Sequence, residues 1–144
     1  MAKEKVGMLK EIEHIDIAVK DVEESVKLFQ KMGFKLLVQT THAGGAAELK
    51  LPGPHQPIFE LHPIVPNIPE GTSGHLGIIH IGFTVDDAQK ALDWCNEEGI
   101  PVRSNKVGFQ PQTGRIQVHT KWLGDFFFCF VQKGRKPFIT QAIE

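Results

Sequence analysis

The stretch His14-Ile-Asp-Ile-Ala-Val-Lys-Asp21 recurs as His80-Ile-Gly-Phe-Thr-Val-Asp-Asp87. The two segments align without a gap at an offset of 66 residues, with His, Ile, Val and Asp in register, and the same offset carries Gly33 onto Gly99. Self-similarity over such a period means two copies of one structural unit, each too small to bury its apolar face alone. Between the landmarks, each copy reads as an alternating strand followed by an amphipathic helix.

The helices are bounded by punctuation. In the first copy Asp21 is placed to cap a helix over about 22–32, with Glu24 three residues on as in a capping box. Val22, Val26 and Phe29 form its buried stripe, and Gly33 supplies the left-handed residue that ends it. In the second, Asp86 or Asp87 caps a helix over about 87–98, with Ala88, Ala91, Leu92 and Cys95 as the stripe and Gly99 and Pro101 as the stop. Three short runs of strand character follow each helix, near 35–40, 46–51 and 57–62, then near 102–107, 114–119 and 126–132. Each copy is therefore a βαβββ module in an α+β chain. Prolines and glycines between Pro63 and Gly77 mark the join. The expected organisation is a first module over 10–66, a linker over 67–77, a second module over 78–132 and a tail over 133–144.

Composition narrows the function. With 144 residues and 41% hydrophobic content the chain can bury a core as one unit. Its 16 Lys and Arg balance 17 Asp and Glu, so no broad field points to nucleic acid or an anionic membrane, and a small molecule is the expected partner. No apolar run approaches the roughly 20 residues of a membrane span, and the charged start from Met1 to Lys10 is unlike a signal peptide. Cys95 and Cys129 form no CxxC pair, which fits a reducing compartment. Cytoplasmic residence is the expectation.

Strand parity sorts the side chains. Ile15, Ile17 and Val19 share the helix-facing side of the first strand, which turns His14, Asp16 and Ala18 to the other face. In the second copy Ile81, Phe83 and Val85 face the helices and His80, Gly82 and Thr84 face away. In Ile58-Phe-Glu-Leu-His62, Phe59 and Leu61 take the helix side, so Glu60 joins the two histidines, flanked by Ile58 and His62. In the last strand Phe126, Phe128 and Phe130 pack under the helices and leave Phe127, Cys129 and Val131 opposite. Glu48, Lys50, Arg115, Gln117 and His119 are the further polar residues on this second face.

These motifs, together with Phe-Glu-Leu-His-Pro over Phe59–Pro63, resemble the vicinal oxygen chelate superfamily, which includes glyoxalases, bleomycin-resistance proteins and extradiol dioxygenases. The resemblance covers about residues 10–132. Gly114-Arg-Ile, His119 and Gly124 keep the spacing of methylmalonyl-CoA epimerase and lactoylglutathione lyase-like proteins. It implies two modules joined in a cupped mixed sheet, relatives that often dimerise through sheet edges, and a homodimer here. It also implies a divalent metal, Zn, Ni, Co, Mn or Fe, held by His14, Glu60 and His80. The fourth family position, normally a glutamate, falls on Cys129.

A single strand histidine is more often packing than chemistry. Two at equivalent repeat positions with a carboxylate make a nitrogen and oxygen set that suits such a metal and leaves coordination positions open. Cys129 reads either as a fourth ligand or as a buried apolar filler, and its phenylalanine neighbours favour filler. His62 is a candidate partner of a ligand or a rim residue; His42, His55 and His75 fall in loops. Lys50 and Arg115 are candidates for a ligand's carboxylate or phosphate, with Gln117 and His119 beside them. Glu48 is the candidate replacement for the missing glutamate as proton acceptor. The expected function is an isomerase, epimerase or lyase of the glyoxalase I or methylmalonyl-CoA epimerase type, working through a metal-stabilised enolate. The same ligand set also describes a non-haem Fe(II) dioxygenase, and the same cup could bind drugs or metabolites without turnover.

Overall fold

The structure, a computed structural model, describes residues 7–64 and 75–134. The element order is β1 (Ile12–Ala18), α1 (Val22–Lys31), β2 (Lys35–Thr40), β3 (Ala46–Lys50), β4 (Ile58–His62), β5 (Gly77–Val85), α2 (Ala88–Glu98), β6 (Gly108–Gln110), β7 (Arg115–His119) and β8 (Phe127–Gln132). All eight strands join one sheet in the order β2-β3-β4-β1-β5-β8-β7-β6. Each half of that order is one βαβββ module, and the halves meet where β1 pairs antiparallel with β5. In each module the first strand runs parallel to the last, β1 beside β4 and β5 beside β8.

The local signals explain the helices. The Asp21 carboxylate accepts the backbone N–H of Glu24, and the Asp87 carboxylate accepts that of Lys90. Of the two candidate caps for α2, Asp87 takes the place. Gly99 ends α2 in the left-handed region at φ 72°, a conformation that costs a glycine little. Each helix covers its own half of the sheet. Val26 packs with Leu36, Ala47, Leu49 and Leu61, flanked by Val22 and Phe29. Ala91, Leu92 and Cys95 pack with Val85, Val118 and Phe130. Cys95 is thus a core side chain.

One strand differs from expectation. The run over 102–107 forms no strand: Val102 makes a single bridge to Thr120, and the edge strand lies later, at Gly108–Gln110. The Arg103 N–H to the His119 carbonyl at 2.9 Å and the Lys121 N–H to the Pro101 carbonyl at 3.0 Å are the two bonds of that bridge, and Pro101 has no N–H with which to extend it toward the helix. Most of the expected linker (67–77) and of the tail (133–144) lies outside the described residues. Among those described, no helix is long and apolar enough to cross a membrane.

Asp87→Ala removes the cap of α2 and should lower unfolding free energy by about 1 kcal/mol, read from the urea midpoint.

Candidate metal centre

The seam between modules builds the centre. Ile15, whose repeat equivalent is Ile81, pairs with Ile81 itself, so a pseudo-twofold passes through that pair. On either side His14 pairs with Gly82, and Asp16 pairs with His80. Asp16 also faces Glu60 on β4, and Glu60 faces Glu48 on β3. One row across the sheet therefore reads Glu48, Glu60, Asp16, His80. Like charges abreast on one sheet face repel one another, so this row needs cations.

Two irregularities aim further groups at the same point. Between Ile12 and His14 the β1–β5 register shifts, which leaves Glu13 as an extra residue on β1. Such a bulge breaks the alternation of faces. Glu13 consequently reaches the concave side, where its Oε1 accepts from His14 Nδ1 at 2.6 Å and from Arg115 Nε at 2.9 Å. The second shift leaves Ile79 as the extra residue on β5 and turns it into the cup. Gly82 supplies the remaining space: a Cβ there would run into the His14 ring.

The ligand-capable atoms of His14, Glu60 and His80 all lie within 4.8 Å of one another. The two imidazoles meet through their Nε2 atoms, 2.8 Å apart. His14 donates its Nδ1 proton to Glu13, and His80 Nδ1 lies 2.9 Å from Asp16 Oδ2, off the line of a good hydrogen bond. For His14 the Glu13 carboxylate at Nδ1 leaves Nε2 as the nitrogen able to donate its lone pair, the usual arrangement behind a metal-ligating histidine. Burial, and next the charge of Arg115, lowers the pKa of His14 and keeps it in the neutral form that binds metal.

Arg115 is the main counter-cation. Fully buried at 2% exposure, it contacts Glu13, Glu48 and Glu60 at 2.9, 3.0 and 3.1 Å. Burial opposes the charge of Glu60, but Arg115 overrides it and holds that carboxyl well below its ordinary range. His62 donates from Nδ1 to the Pro63 carbonyl at 2.6 Å and from Nε2 to Asp16 at 2.9 Å. Neither acceptor carries a proton, so His62 holds both of its own. Burial opposes this charge, yet the Asp16 contact prevails and raises its pKa.

The centre floors a cavity of about 440 Å³. Arg115, Gln117 and His119 line it as expected from parity, together with Asp16, His42, His62, Arg103, Trp122 and Phe127. Burial, with the charges of His80 and Arg103, pushes the pKa of His119 down to about 3. Two expected residues lie elsewhere. Glu48 has no exposed surface, pairs with Arg115 and does not line the cavity. Lys50 borders a separate surface depression with Glu11, Glu13 and His55, beyond the curl of β3.

Cys129 pairs with Gly82 in the ladder, the equivalent of the Asp16–Glu60 pairing, and so stands where the repeat would set a second Glu60. Its thiol donates to Gln117 Oε1 at 3.2 Å, and burial pushes its pKa far up. It is not one of the three converging side chains. Sequence parity missed Glu13, because a bulge has no clear signature. It also passed over His42, whose Nε2 lies 3.4 Å from Glu60 Oε2 although it belongs to a short 3-10 turn outside the sheet.

The model of the Glyoxalase/Bleomycin resistance protein/Dioxygenase superfamily matches residues 11–113. The chain belongs to this superfamily. Its fold resembles solved methylmalonyl-CoA epimerases. The Streptomyces coelicolor enzyme in complex with 2-nitronate-propionyl-CoA superposes with a TM-score of 0.72 at 18% identity, over 90% of this chain and 99% of that one. A methylmalonyl-CoA epimerase in complex with methylmalonyl-CoA and NH4+ gives the same figures. The enzyme from Mycobacterium tuberculosis gives 0.72 at 14% identity, over 90% and 92%. A search of curated proteins gave no significant match to the sequence.

Gly82→Ala should displace the His14 ring and cost about 1–3 kcal/mol in chemical denaturation, since a methyl forced into packed space is paid for in strain. Arg115→Met leaves Glu13, Glu48 and Glu60 without their shared cation. It should destabilise the fold by about 3–5 kcal/mol near neutral pH, the range for breaking a buried ion pair from one side, measured the same way.

Proposed function

We propose that the chain holds a divalent metal through His14, Glu60 and His80 and uses it to isomerise or epimerise a small substrate bearing two neighbouring oxygens. The observation that carries this is the convergence of the three ligand atoms in a pocket of excess negative charge. Glu13, Asp16, Glu48 and Glu60 still outnumber Arg115, the protonated His62 and, farther along the cavity, Arg103. A buried excess of this kind calls for a cation, and two imidazoles with a carboxylate suit a first-row divalent ion with open positions.

When bound, such an ion supplies Lewis acidity, making the proton next to a chelated carbonyl easier to remove. The chain's own residues do the rest. Glu13 and Asp16 set the orientation of the two imidazoles. Arg115 holds Glu60 in its ionised form. Phe127, stacked on His80 with ring centroids 4.5 Å apart, and Ile79 keep that side of the site apolar.

A proton acceptor must line the cavity with a vacant nitrogen or oxygen. Asp16 and His62 are committed to each other, and a pKa of about 3 leaves His119 too weak a base near neutral pH. His42 lines the cavity; with its Nδ1 proton on the Thr40 hydroxyl and Glu60 drawn to an ion, its Nε2 would be left vacant, and it is our assignment.

The test is elemental analysis followed by isotope exchange. Protein loaded with Co²⁺ should retain about one ion per chain by the ligand count of such sites, and His14→Ala and His80→Ala should retain none. In D₂O the loaded protein should introduce deuterium next to the thioester carbonyl of methylmalonyl-CoA, monitored by NMR, and His42→Gln should keep the ion and lose the exchange. Failure of the wild type to retain any divalent ion would sink the proposal. Retention without exchange on that or related acyl thioesters would reduce it to a binding protein.

A further inference from the structure

Next to the metal centre the cavity continues into a smaller recess of about 150 Å³, lined by Arg103, Ser104, Lys106, Gly108, Gln117 and His119. Arg103, Gly108, Gln117 and His119 border both spaces, so one ligand can occupy them together. The chemistry of the two ends is opposite. Carboxylates crowd the floor at the seam, whereas the recess is bordered by a guanidinium, an ammonium, a hydroxyl, an amide and an imidazole, with no carboxylate.

Arg103 is held in position before any ligand arrives. Its backbone N–H donates to the His119 carbonyl at 2.9 Å, and its guanidinium carbon lies 4.1 Å from the centre of the Phe127 ring and 5.4 Å from that of Trp122. A guanidinium stacked on aromatic faces keeps its N–H groups in its own plane, where they match the edge of a carboxylate or phosphate. The neighbours fit the same ligand. The Gln117 carbonyl oxygen is engaged by the Cys129 thiol, so its NH₂ is the group it has to offer. His119, neutral by burial, can donate one hydrogen bond and brings no competing charge.

We propose that this recess is an anion subsite, in which Arg103, aided by Lys106, binds a carboxylate or phosphate of the substrate at the end remote from the metal. The substrate class is then an acyl compound carrying an anionic group beyond its two chelating oxygens. That assignment of the chelating end rests on the function proposed above, but the recess needs no metal to hold an anion.

Trp122 lines the cavity and stands 4.8 Å from Phe127, whereas Trp94 packs on Phe130 under α2, so tryptophan fluorescence can register occupancy at Trp122. Protein stripped of metal is titrated with inorganic phosphate, malonate and neutral malonamide, by fluorescence and calorimetry. At least one anion should bind saturably and malonamide should not; whichever of phosphate or malonate binds more tightly identifies the group recognised. Arg103→Met should weaken that binding by at least about tenfold, the usual worth of one charge-assisted pair, with Arg103→Lys recovering part of it. Lys106→Ala, at an exposed position that leaves the fold intact, should weaken it by a smaller factor. Equal binding by wild type and a folded Arg103→Met, or binding no tighter than malonamide, overturns the subsite. Loss of metal retention alone overturns only the metal centre.

Discussion

A row of carboxylates under one guanidinium is the constraint on which the rest of the molecule depends. Glu48, Glu60 and Asp16 stand abreast on adjacent strands of one sheet face, and the bulge at Glu13 adds a fourth acid. Such a row would push the strands apart in a flat sheet. The curl of the sheet brings Arg115 from β7, in the other module, onto Glu13, Glu48 and Glu60. The cup shape and the charge balance are therefore one problem with one solution. Packing under each helix supplies most of the stability, as burial of apolar area does in any domain of this size, but it is indifferent to how the two halves face each other.

The same charges prepare the histidines. The Glu13 carboxylate at Nδ1 of His14 fixes which nitrogen of that ring is left to donate a lone pair, and the burial that makes His14 a poor acid-base group keeps it in the form a metal would take. The centre is negative in excess, and the recess beside it is positive. A ligand that spans them needs electrophile-seeking oxygens at one end and an anion at the other, and this polarity sets its direction of entry.

The repeat is symmetric in backbone and asymmetric in chemistry. Around the Ile15–Ile81 pair the two modules present Asp16 against Gly82, Glu60 against Cys129 and Glu48 against His119. The first module keeps the acids, while the second keeps a glycine that makes room for His14, a thiol that stays protonated and a histidine that stays neutral. Duplication thus contributes the paired imidazoles, and divergence between the copies makes one side of the cup acidic and the other neutral or basic. The separation of the proposed metal floor and anion recess follows from that divergence.

The sequence by itself determined the modules, the helices with their aspartate caps, and the faces of most strands, because these depend on local periodicity and on turn chemistry within a few residues. His14, Glu60 and His80 were legible for the same reason: alternation in three separate strands sends them to one face, and the repeat marks two of them as equivalent. Only the tertiary structure decided how far across that face each group reaches. Glu48 shares the face and is buried against Arg115, and Lys50 shares it and lies outside the cavity, since parity assigns a side but not a depth. Glu13 arrives through a register shift, which depends on how β1 and β5 pair and not on β1 alone. Arg103 acquires its place from Phe127 and Trp122, residues distant in sequence that meet it only after the second module has closed.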